Sequence, residues 1–289
     1  MKRAILLMVV AASILLMACR VDQTPPPTPT AQGPQPTVTP ASPAFLISNL
    51  ADEESRQEVA SILKQYLPEA NVDQFVAAVV DYNQIIQQTS LNQGFEDTMP
   101  NYDMGAISSL WEEKRGELIG TNCRINAFLL LKGALKIGPG ETDDSLLFID
   151  KDAISAGNLF SAEETAQFMR LYSRVQTEST EDVAVHAEKM RQHLEQFTFD
   201  EHARMISLVL HDTLAGDYLF IGHVGVLVEH QGEYLYVEKL SFEEPYQAIK
   251  FQREEDCYQY LLKKFEGYAD EGAAKPFIMV NSEFKASGS

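Results

Sequence analysis

The stretch that decides the fold is residues 218–240, YLFIGHVGVLVEHQGEYLYVEKL. Two runs rich in β-branched and aromatic residues, Tyr218–His230 and Glu233–Leu240, flank the pair Gln231-Gly232. Runs of this composition predict strands, and a two-residue connection that contains glycine predicts a tight hairpin turn between them. The centre of the protein is therefore expected to be an antiparallel hairpin.

The register of this hairpin can be worked out from the turn. If Gln231 and Gly232 are the two turn residues, His230 pairs with Glu233 and every later pair follows from that one. His223 then faces Leu240, and Gly225 faces Glu238. Side chains two positions apart share a face, so His223 and Glu238 are predicted to point to the same side.

Helical patterns precede the hairpin, and both kinds of element follow it. Apolar residues at helical spacing predict helices, in order, at 52–67, 71–86, 121–137, 161–172 and 183–197. Beyond the hairpin the sequence predicts a helix at about 254–265 and a last edge strand at 277–280, and one earlier strand is predicted at 205–210. Helices first and strands later predict an α+β fold, with a helical first half packed on an antiparallel sheet.

One helix begins at the tetrapeptide Thr121-Asn122-Cys123-Arg124. Thr121 or Asn122 is a good N-cap, which puts Cys123 in the first turn, and apolar residues then cover nearly all sides until Gly138-Pro139-Gly140. The helix is therefore predicted to be central and buried. A helix N-terminus favours the thiolate form of a cysteine, so Cys123 is a candidate nucleophile.

A thiol hydrolase also needs a base and a group that orients the base. His223 is the candidate base and Glu238 the candidate orienting carboxylate. Asn122 or the backbone N–H of Cys123 is a candidate donor to the oxyanion, and Arg124 is expected to bind a substrate carboxylate or a neighbouring acid. The same residues also allow a plainer interpretation, in which Cys123 and His223 are buried structural residues.

Other titratable residues support weaker hypotheses. Cys257 follows three acidic residues, which would raise its pKa and make it a poor nucleophile. His211-Asp212 is a second candidate pair. His186 and His193 are two turns apart and are expected to be surface or packing residues, so no metal site and no cofactor are predicted.

The order of these residues resembles the papain-like fold, with a cysteine at the start of a buried helix, then a histidine strand and a polar residue on the next strand. The segment 222–228, GHVGVLV, resembles the histidine strand of the NlpC/P60 cell-wall peptidases, although Asn122-Cys123-Arg124-Ile125 stands where that family has an Asp-Cys-Ser-Gly-like context. The resemblance implies a nucleophilic Cys123, a basic His223 and an orienting Glu238. The chain is also similar to a family of functionally uncharacterised bacterial lipoproteins through residues 122–124, 222–227, 238–239 and 244–247.

The N-terminus indicates export. Lys2 and Arg3 precede an apolar run from Ala4 to Met17, which is the length of a signal-peptide core and too short to span a membrane. The run ends in residues 16–19, LMAC, which resemble the lipobox of bacterial lipoproteins. Residues 1–18 are therefore a predicted signal peptide, and Cys19 is the predicted site of palmitate-type lipidation that anchors the chain to a cell membrane on its extracytoplasmic face.

The rest of the chain divides into a linker and one domain. Residues 19–44 hold eight of the thirteen prolines, which predicts an extended tether, and residues 45–289 are expected to form a single domain. The formal net charge is -19, and loss of Lys2 and Arg3 makes it -21, which excludes nucleic acid as a natural partner. Only Cys123 and Cys257 remain after Cys19, too few for a disulfide scaffold.

Two functions follow from these observations. The first is a thiol-dependent amide or peptide hydrolase that faces the cell envelope, with cell-wall peptides or other amides as substrates. The second is a non-catalytic binding lipoprotein on the same papain-like scaffold.

Overall fold

A computed structural model describes residues 45–138, 140–214, 216–269 and 271–288. The predicted signal peptide, the predicted lipidation site Cys19 and the proline-rich linker lie outside these residues. The described residues all fall within one unit of the chain, Ser42–Ser289.

The described residues form eight helices and ten strands. In chain order these are β1 (Phe45–Ser48), α1 (Glu53–Leu63), α2 (Glu69–Ile85), α3 (Met104–Arg115), α4 (Cys123–Leu131), β2 (Lys136–Ile137), α5 (Phe148–Gly157), α6 (Ala162–Leu171), β3 (Val175–Gln176), α7 (Val183–Leu194), β4 (Phe197–Thr198), β5 (Ala203–Asp212), β6 (Tyr218–His230), β7 (Glu233–Lys239), β8 (Tyr246–Phe251), α8 (Glu254–Lys264), β9 (Phe277–Val280) and β10 (Glu283–Ser287). The α+β class predicted from the sequence is confirmed.

The hairpin of β6 and β7 lies in the middle of a large antiparallel sheet. The strand order is β1-β8-β7-β6-β5-β9-β10, and β3 pairs with the beginning of β6. His230 pairs with Glu233, as the turn predicts. Gln231 and Gly232 have φ angles of 54° and 83°, and two consecutive positive φ angles are the geometry of the tight turn that suits twisted strands.

Strand β9, residues 277–280, was expected at the edge of the sheet, and that prediction is wrong. It pairs with β5 on one side and with β10 on the other, and all four of its residues are buried. The edges of the main sheet are β1 and β10 instead. These two short strands carry too few residues for their alternation to be recognised in the sequence.

Helices cover both faces of the sheet. Helices α1 to α7 contribute to one hydrophobic core, and α8 packs on the opposite face with a core of its own. The helices of the first half of the chain thus cover one face of the sheet, as expected. The other face is covered by α8 and is not open to solvent. Burial on both faces explains why β6 carries an almost continuous apolar run rather than an alternating one.

Helix α4 is the central helix that the sequence predicted. The side chain of Asn122 caps it, and every residue from Cys123 to Leu131 except Arg124 is buried against β6, β7 and α2. It ends at Leu131, earlier than the expected stop at Gly138-Pro139-Gly140. Lys132 is extended, with ψ of 136°, and Gly133 has a φ of 86°, so the chain leaves the helical conformation there.

None of the helices in the described residues is both long and apolar enough to cross a bilayer.

Candidate active site

Cys123 is the first residue of α4. The Oδ1 atom of Asn122 accepts a hydrogen bond from the N–H of Ile125 at 3.0 Å, which fixes the beginning of the helix. Cys123 itself is buried, with 5% of its surface exposed. The N–H groups of the first helical turn have no carbonyl partner within the helix, so they favour a negative charge on a sulfur at this position.

His223 and Glu238 lie on neighbouring strands just beyond the point where those strands stop pairing. The ladder between β6 and β7 runs from the turn to Val226 and Val237. Past it, Nε2 of His223 forms a hydrogen bond with Oε2 of Glu238. The two residues are 1% and 2% exposed, so this pair is almost completely removed from water.

A β-bulge stands directly before His223. The pairing of β5 with β6 shifts by one residue between His223 and Ile221, which leaves Gly222 as an extra residue in β6. A Cβ atom on Gly222 would lie 2.4 Å from Cδ1 of Leu210, so no larger residue fits without displacing that side chain. Bulges re-aim neighbouring side chains, and this one sets the direction of the imidazole.

The thiol of Cys123 lies beside the imidazole of His223, close enough for each group to shift the pKa of the other. Because Glu238 is bound at Nε2, Nδ1 is the ring nitrogen that remains for the sulfur. The backbone N–H of Val224 also interacts with the sulfur. The structure therefore brings the three candidate residues together in the order thiol, imidazole, carboxylate.

The charges of this group oppose the effect of burial. Burial favours the neutral thiol, but the charge of His223 lowers the pKa of Cys123. Burial likewise disfavours the imidazolium, yet the charges of Cys123 and Glu238 raise the pKa of His223 to about 9. Against its own burial, the pKa of Glu238 is lowered to about 2 by the charges of Lys264 and His223. An imidazolium and a carboxylate are thus the favoured forms of His223 and Glu238 near neutral pH, and this ion pair makes the thiolate of Cys123 easier to form.

Cys257 has the opposite environment. It lies in α8 and is fully buried. Burial, with the nearby charges of Glu238 and Glu254, raises its pKa well above the usual value for a thiol. This direction agrees with the prediction that Cys257 is a poor nucleophile, although burial rather than the acidic neighbours is the main cause.

A tyrosine that the sequence did not single out completes the surroundings of Glu238. The hydroxyl of Tyr260, on α8, donates to Oε1 of Glu238 at 2.8 Å and lies 3.1 Å from Oε1 of Gln247. Gln247 in turn donates to the hydroxyl of Tyr102 at 2.6 Å. Nothing in the local sequence marks Tyr260, because its role depends on α8 packing across the second face of the sheet.

Asp150 determines what Asn122 and Arg124 do. Its carboxylate is fully buried on α5 and accepts from Nδ2 of Asn122 at 2.8 Å, Nε of Arg124 at 3.0 Å and Nη2 of Arg124 at 2.7 Å. Arg124 was expected to bind either a substrate carboxylate or a neighbouring acid, and it binds a neighbouring acid, Asp150. The side chain of Asn122 serves both as the helix cap and as a partner of Asp150.

The remaining histidines have structural partners. His186 and His193 are buried and each contacts a backbone carbonyl oxygen. The ring of His211 lies 3.3 Å from Asp217, so its acidic partner is not the neighbouring Asp212 that the sequence suggested. In the part of the chain that the structure describes, no three His, Cys, Asp or Glu side chains are grouped so as to hold a metal ion.

Comparison with known proteins gives one result. A family model described as a domain of unknown function, DUF4300, matches residues 46–284. No curated protein and no solved structure matches the chain.

Proposed function

The chain belongs to the DUF4300 family, and we propose that it is a thiol-dependent amide hydrolase held at the outer face of a cell membrane by lipid on Cys19. One observation carries this proposal. The imidazole of His223 interacts with the thiol of Cys123 on one side and with the carboxylate of Glu238 on the other. A nucleophile, its base and the group that orients the base are the parts that acyl transfer requires.

The proposed reaction begins with attack of the Cys123 thiolate on the carbonyl carbon of an amide. A carbon–sulfur bond forms, and the carbonyl oxygen becomes an oxyanion. When the carbon–nitrogen bond breaks, the His223 imidazolium gives its proton to the leaving amine. A water molecule, deprotonated by His223, then hydrolyses the thioester to a carboxylic acid and restores the starting ion pair.

The oxyanion donor is best assigned to the backbone N–H of Cys123. This group lies in the first turn of α4, where the helix offers it no carbonyl partner. The side chain of Asn122 was the other candidate, but its oxygen caps the helix and its nitrogen donates to Asp150. Backbone N–H groups at a helix N-terminus are a common source of oxyanion stabilisation.

The scaffold supports the same proposal. A buried helix with cysteine at its N-terminus, packed on an antiparallel sheet that carries histidine and an acid on adjacent strands, is the arrangement of papain-like hydrolases. The proposed substrates are peptide amides of the cell envelope, because a lipid on Cys19 would hold the domain beside them. That choice of substrate depends on location and on analogy.

The proposal is tested with the full-length chain in detergent. Wild type, Cys123→Ala and His223→Ala are incubated with isolated wall peptides and with simple peptide amides, and new amines are detected by mass spectrometry. Wild type should release an amine and a carboxylic acid, and both variants should lose nearly all of that activity. Equal product from wild type and Cys123→Ala would refute the proposal.

A second function is favoured by one specific observation. Cys123 and His223 are 5% and 1% exposed, so a substrate reaches the thiol only if a neighbouring segment moves. A binding lipoprotein that keeps these residues for structural reasons needs no such movement. In that case thiol reagents would label Cys123 no faster in the folded protein than they label Cys257.

A further inference from the structure

A cavity of about 460 Å³ lies next to the beginning of α4. It is lined by residues of α2, α3 and α5 and by the segment 117–121, which leads directly into the helix of Cys123. Its apolar wall consists of three aromatic rings and three aliphatic side chains, those of Tyr82, Trp111, Tyr246, Leu118, Ile119 and Leu159. We name it the Trp111 cavity. Its volume suits a small organic ligand.

The aromatic wall of this cavity is held in place by specific contacts. Nε1 of Trp111 donates to the carbonyl oxygen of Leu118 at 2.6 Å, and the ring of Tyr82 stands 5.7 Å from that of Trp111. Gly120 has a φ of 83°, and a Cβ atom there would lie 2.9 Å from the indole ring. Only glycine therefore lets the segment lie against Trp111, and the cavity wall is preformed.

Two large apolar side chains of the wall are left partly open to solvent. Leu118 is 45% exposed and Ile119 is 42% exposed, although they are consecutive residues. Neighbouring exposed apolar residues at the mouth of an aromatic cavity are typical of a surface that a ligand covers.

The charges around the mouth favour a cation. The carboxylates of Asp81, Glu117 and Asp152 line the cavity, and Asp81 is paired with Arg115. The remaining lining cation, Lys239, is buried and directs its ammonium to the carbonyl oxygen of Ser241 at 2.9 Å and to that of Glu244. The same ammonium lies over the rings of Tyr82 and Tyr246, at 4.1 and 5.2 Å from their centres, so a second cation is not expected on those two rings. The exposed carboxylates of Glu117 and Asp152 are the lining groups that would attract a bound cation.

We propose that the Trp111 cavity binds an aromatic or branched aliphatic group that carries a positive charge. The apolar part lies against Trp111, Tyr82 and Leu159, and the charge lies towards Glu117 and Asp152. This inference goes beyond the proposed hydrolase, because binding here requires no reaction at Cys123. Thr121, two residues before Cys123, is the lining residue nearest in sequence to the candidate nucleophile.

Trp111 is the single tryptophan of the chain, so its fluorescence reports on this cavity alone. The full-length protein is titrated with 2-phenylethylammonium, and with 3-phenylpropionate as an anion of similar shape. The ammonium ion should change the emission in a saturable way, and the carboxylate should not. The Cys123→Ser variant should bind equally well, so failure of the hydrolase proposal would leave this result unchanged.

Matched variants locate the site. Ala156 lines the cavity and is exposed, so Ala156→Phe should fill the space without disturbing the core and should weaken binding at least about tenfold. Ala77→Phe changes another exposed helical alanine, outside the lining, and should bind like wild type. Asp152→Asn should weaken binding of the ammonium ion about threefold. No saturable change with the cation, an equal response to the anion, or undiminished binding by Ala156→Phe would overturn the proposal.

Discussion

Nε2 of His223 is bound to Oε2 of Glu238, although the two residues lie on different strands and are separated by the whole hairpin. The bond forms where β6 and β7 stop pairing, and it leaves the other ring nitrogen for Cys123. Because this pair is removed from water, the imidazolium of His223 and the carboxylate of Glu238 stabilise each other.

Replacing His223 by alanine should raise the pKa of Cys123 by at least about two units, because the imidazolium partner of the thiolate is lost. The ultraviolet absorbance of the thiolate is followed as a function of pH in wild type and in His223→Ala. The spectrum of the matching protein that also carries Cys123→Ser is subtracted from each. Iodoacetamide at about pH 6 should also label Cys123 of the wild type faster than Cys257, and the variant should lose that preference. An unchanged titration of Cys123 in His223→Ala would contradict the prediction.

Replacing Tyr260 by phenylalanine should reduce the amount by which His223 lowers the pKa of Cys123, without abolishing it. The variant removes the hydrogen bond to Oε1 of Glu238 and keeps the packing of the ring, so the carboxylate becomes less stable as an anion and His223 less basic. The pKa of Cys123 should rise by less than in His223→Ala. Tyr258→Phe, in the same helix but bonded to Glu254, is the control and should leave the thiol titration as it is.

The difference in free energy of unfolding between wild type and Glu238→Gln should decrease both at low pH and at high pH. The pKa of Glu238 is lowered to about 2, so its contribution is present above about pH 4.3 and is lost as the pH falls towards 2. The pKa of His223 is raised to about 9, so its contribution is present below about pH 6.5 and is lost as the pH rises through 9.

The difference should therefore be largest between about pH 4.3 and 6.5. Denaturant unfolding of both proteins across this range measures it. Glu229→Gln, which changes an exposed glutamate on β6, serves as the control. A difference that stays constant from acid to alkaline pH would show that the two groups are not ionised partners.

Replacing Asp150 by alanine should destabilise the protein by about 3–5 kcal/mol, because Arg124 would keep its charge in a largely buried position without a partner. Asn122 would lose one hydrogen bond at the same time, and the beginning of α4 would be less well held. Denaturant unfolding gives the magnitude. Asp144→Ala breaks a more exposed pair with Lys151 and should cost less than about 1 kcal/mol. Similar losses in the two variants would contradict the assigned role of Asp150.

Replacing Cys19 by alanine should leave the protein uncleaved or release it to the medium, because the predicted lipid could no longer be attached. Fractionation of cells that express each form shows where the protein is, and metabolic labelling with palmitate shows whether it carries lipid. Ser42→Ala, a change in the linker that leaves the lipobox intact, should behave like wild type. Retention of Cys19→Ala with the membrane, at its normal processed mass, would refute lipid anchoring.

Local patterns were enough to predict much of the fold. The turn at Gln231-Gly232 determined the register of the hairpin, since a two-residue connection leaves only one pairing consistent with it. Thr121 or Asn122 before an apolar run predicted where α4 begins, and Asn122 is the cap. The helix predicted at 161–172 is α6, whose beginning is fixed by a capping box of Ser161 and Glu164. Short strands such as β1 and β10 were missed, because four or five residues contain no usable period.

The partners of the site residues depended on distant parts of the chain. His211 was expected beside Asp212, yet the nearer carboxylate is that of Asp217. Tyr260 and Asp150 could not be assigned any role, because the elements that carry them reach the site only after packing on the sheet. Likewise, the Trp111 cavity exists only where several helices and one loop meet.

Local sequence is enough to specify the strands of the hairpin, the first turn of α4 and the residue types available for thiol chemistry, because these depend on neighbours within a few positions. Folding alone brings Cys123 beside His223, brings Tyr260 and Lys264 of α8 to Glu238, and buries the thiol. Burial and charge act through space. A pKa or an ion pair is therefore set by groups that folding brings together, whatever their separation along the chain.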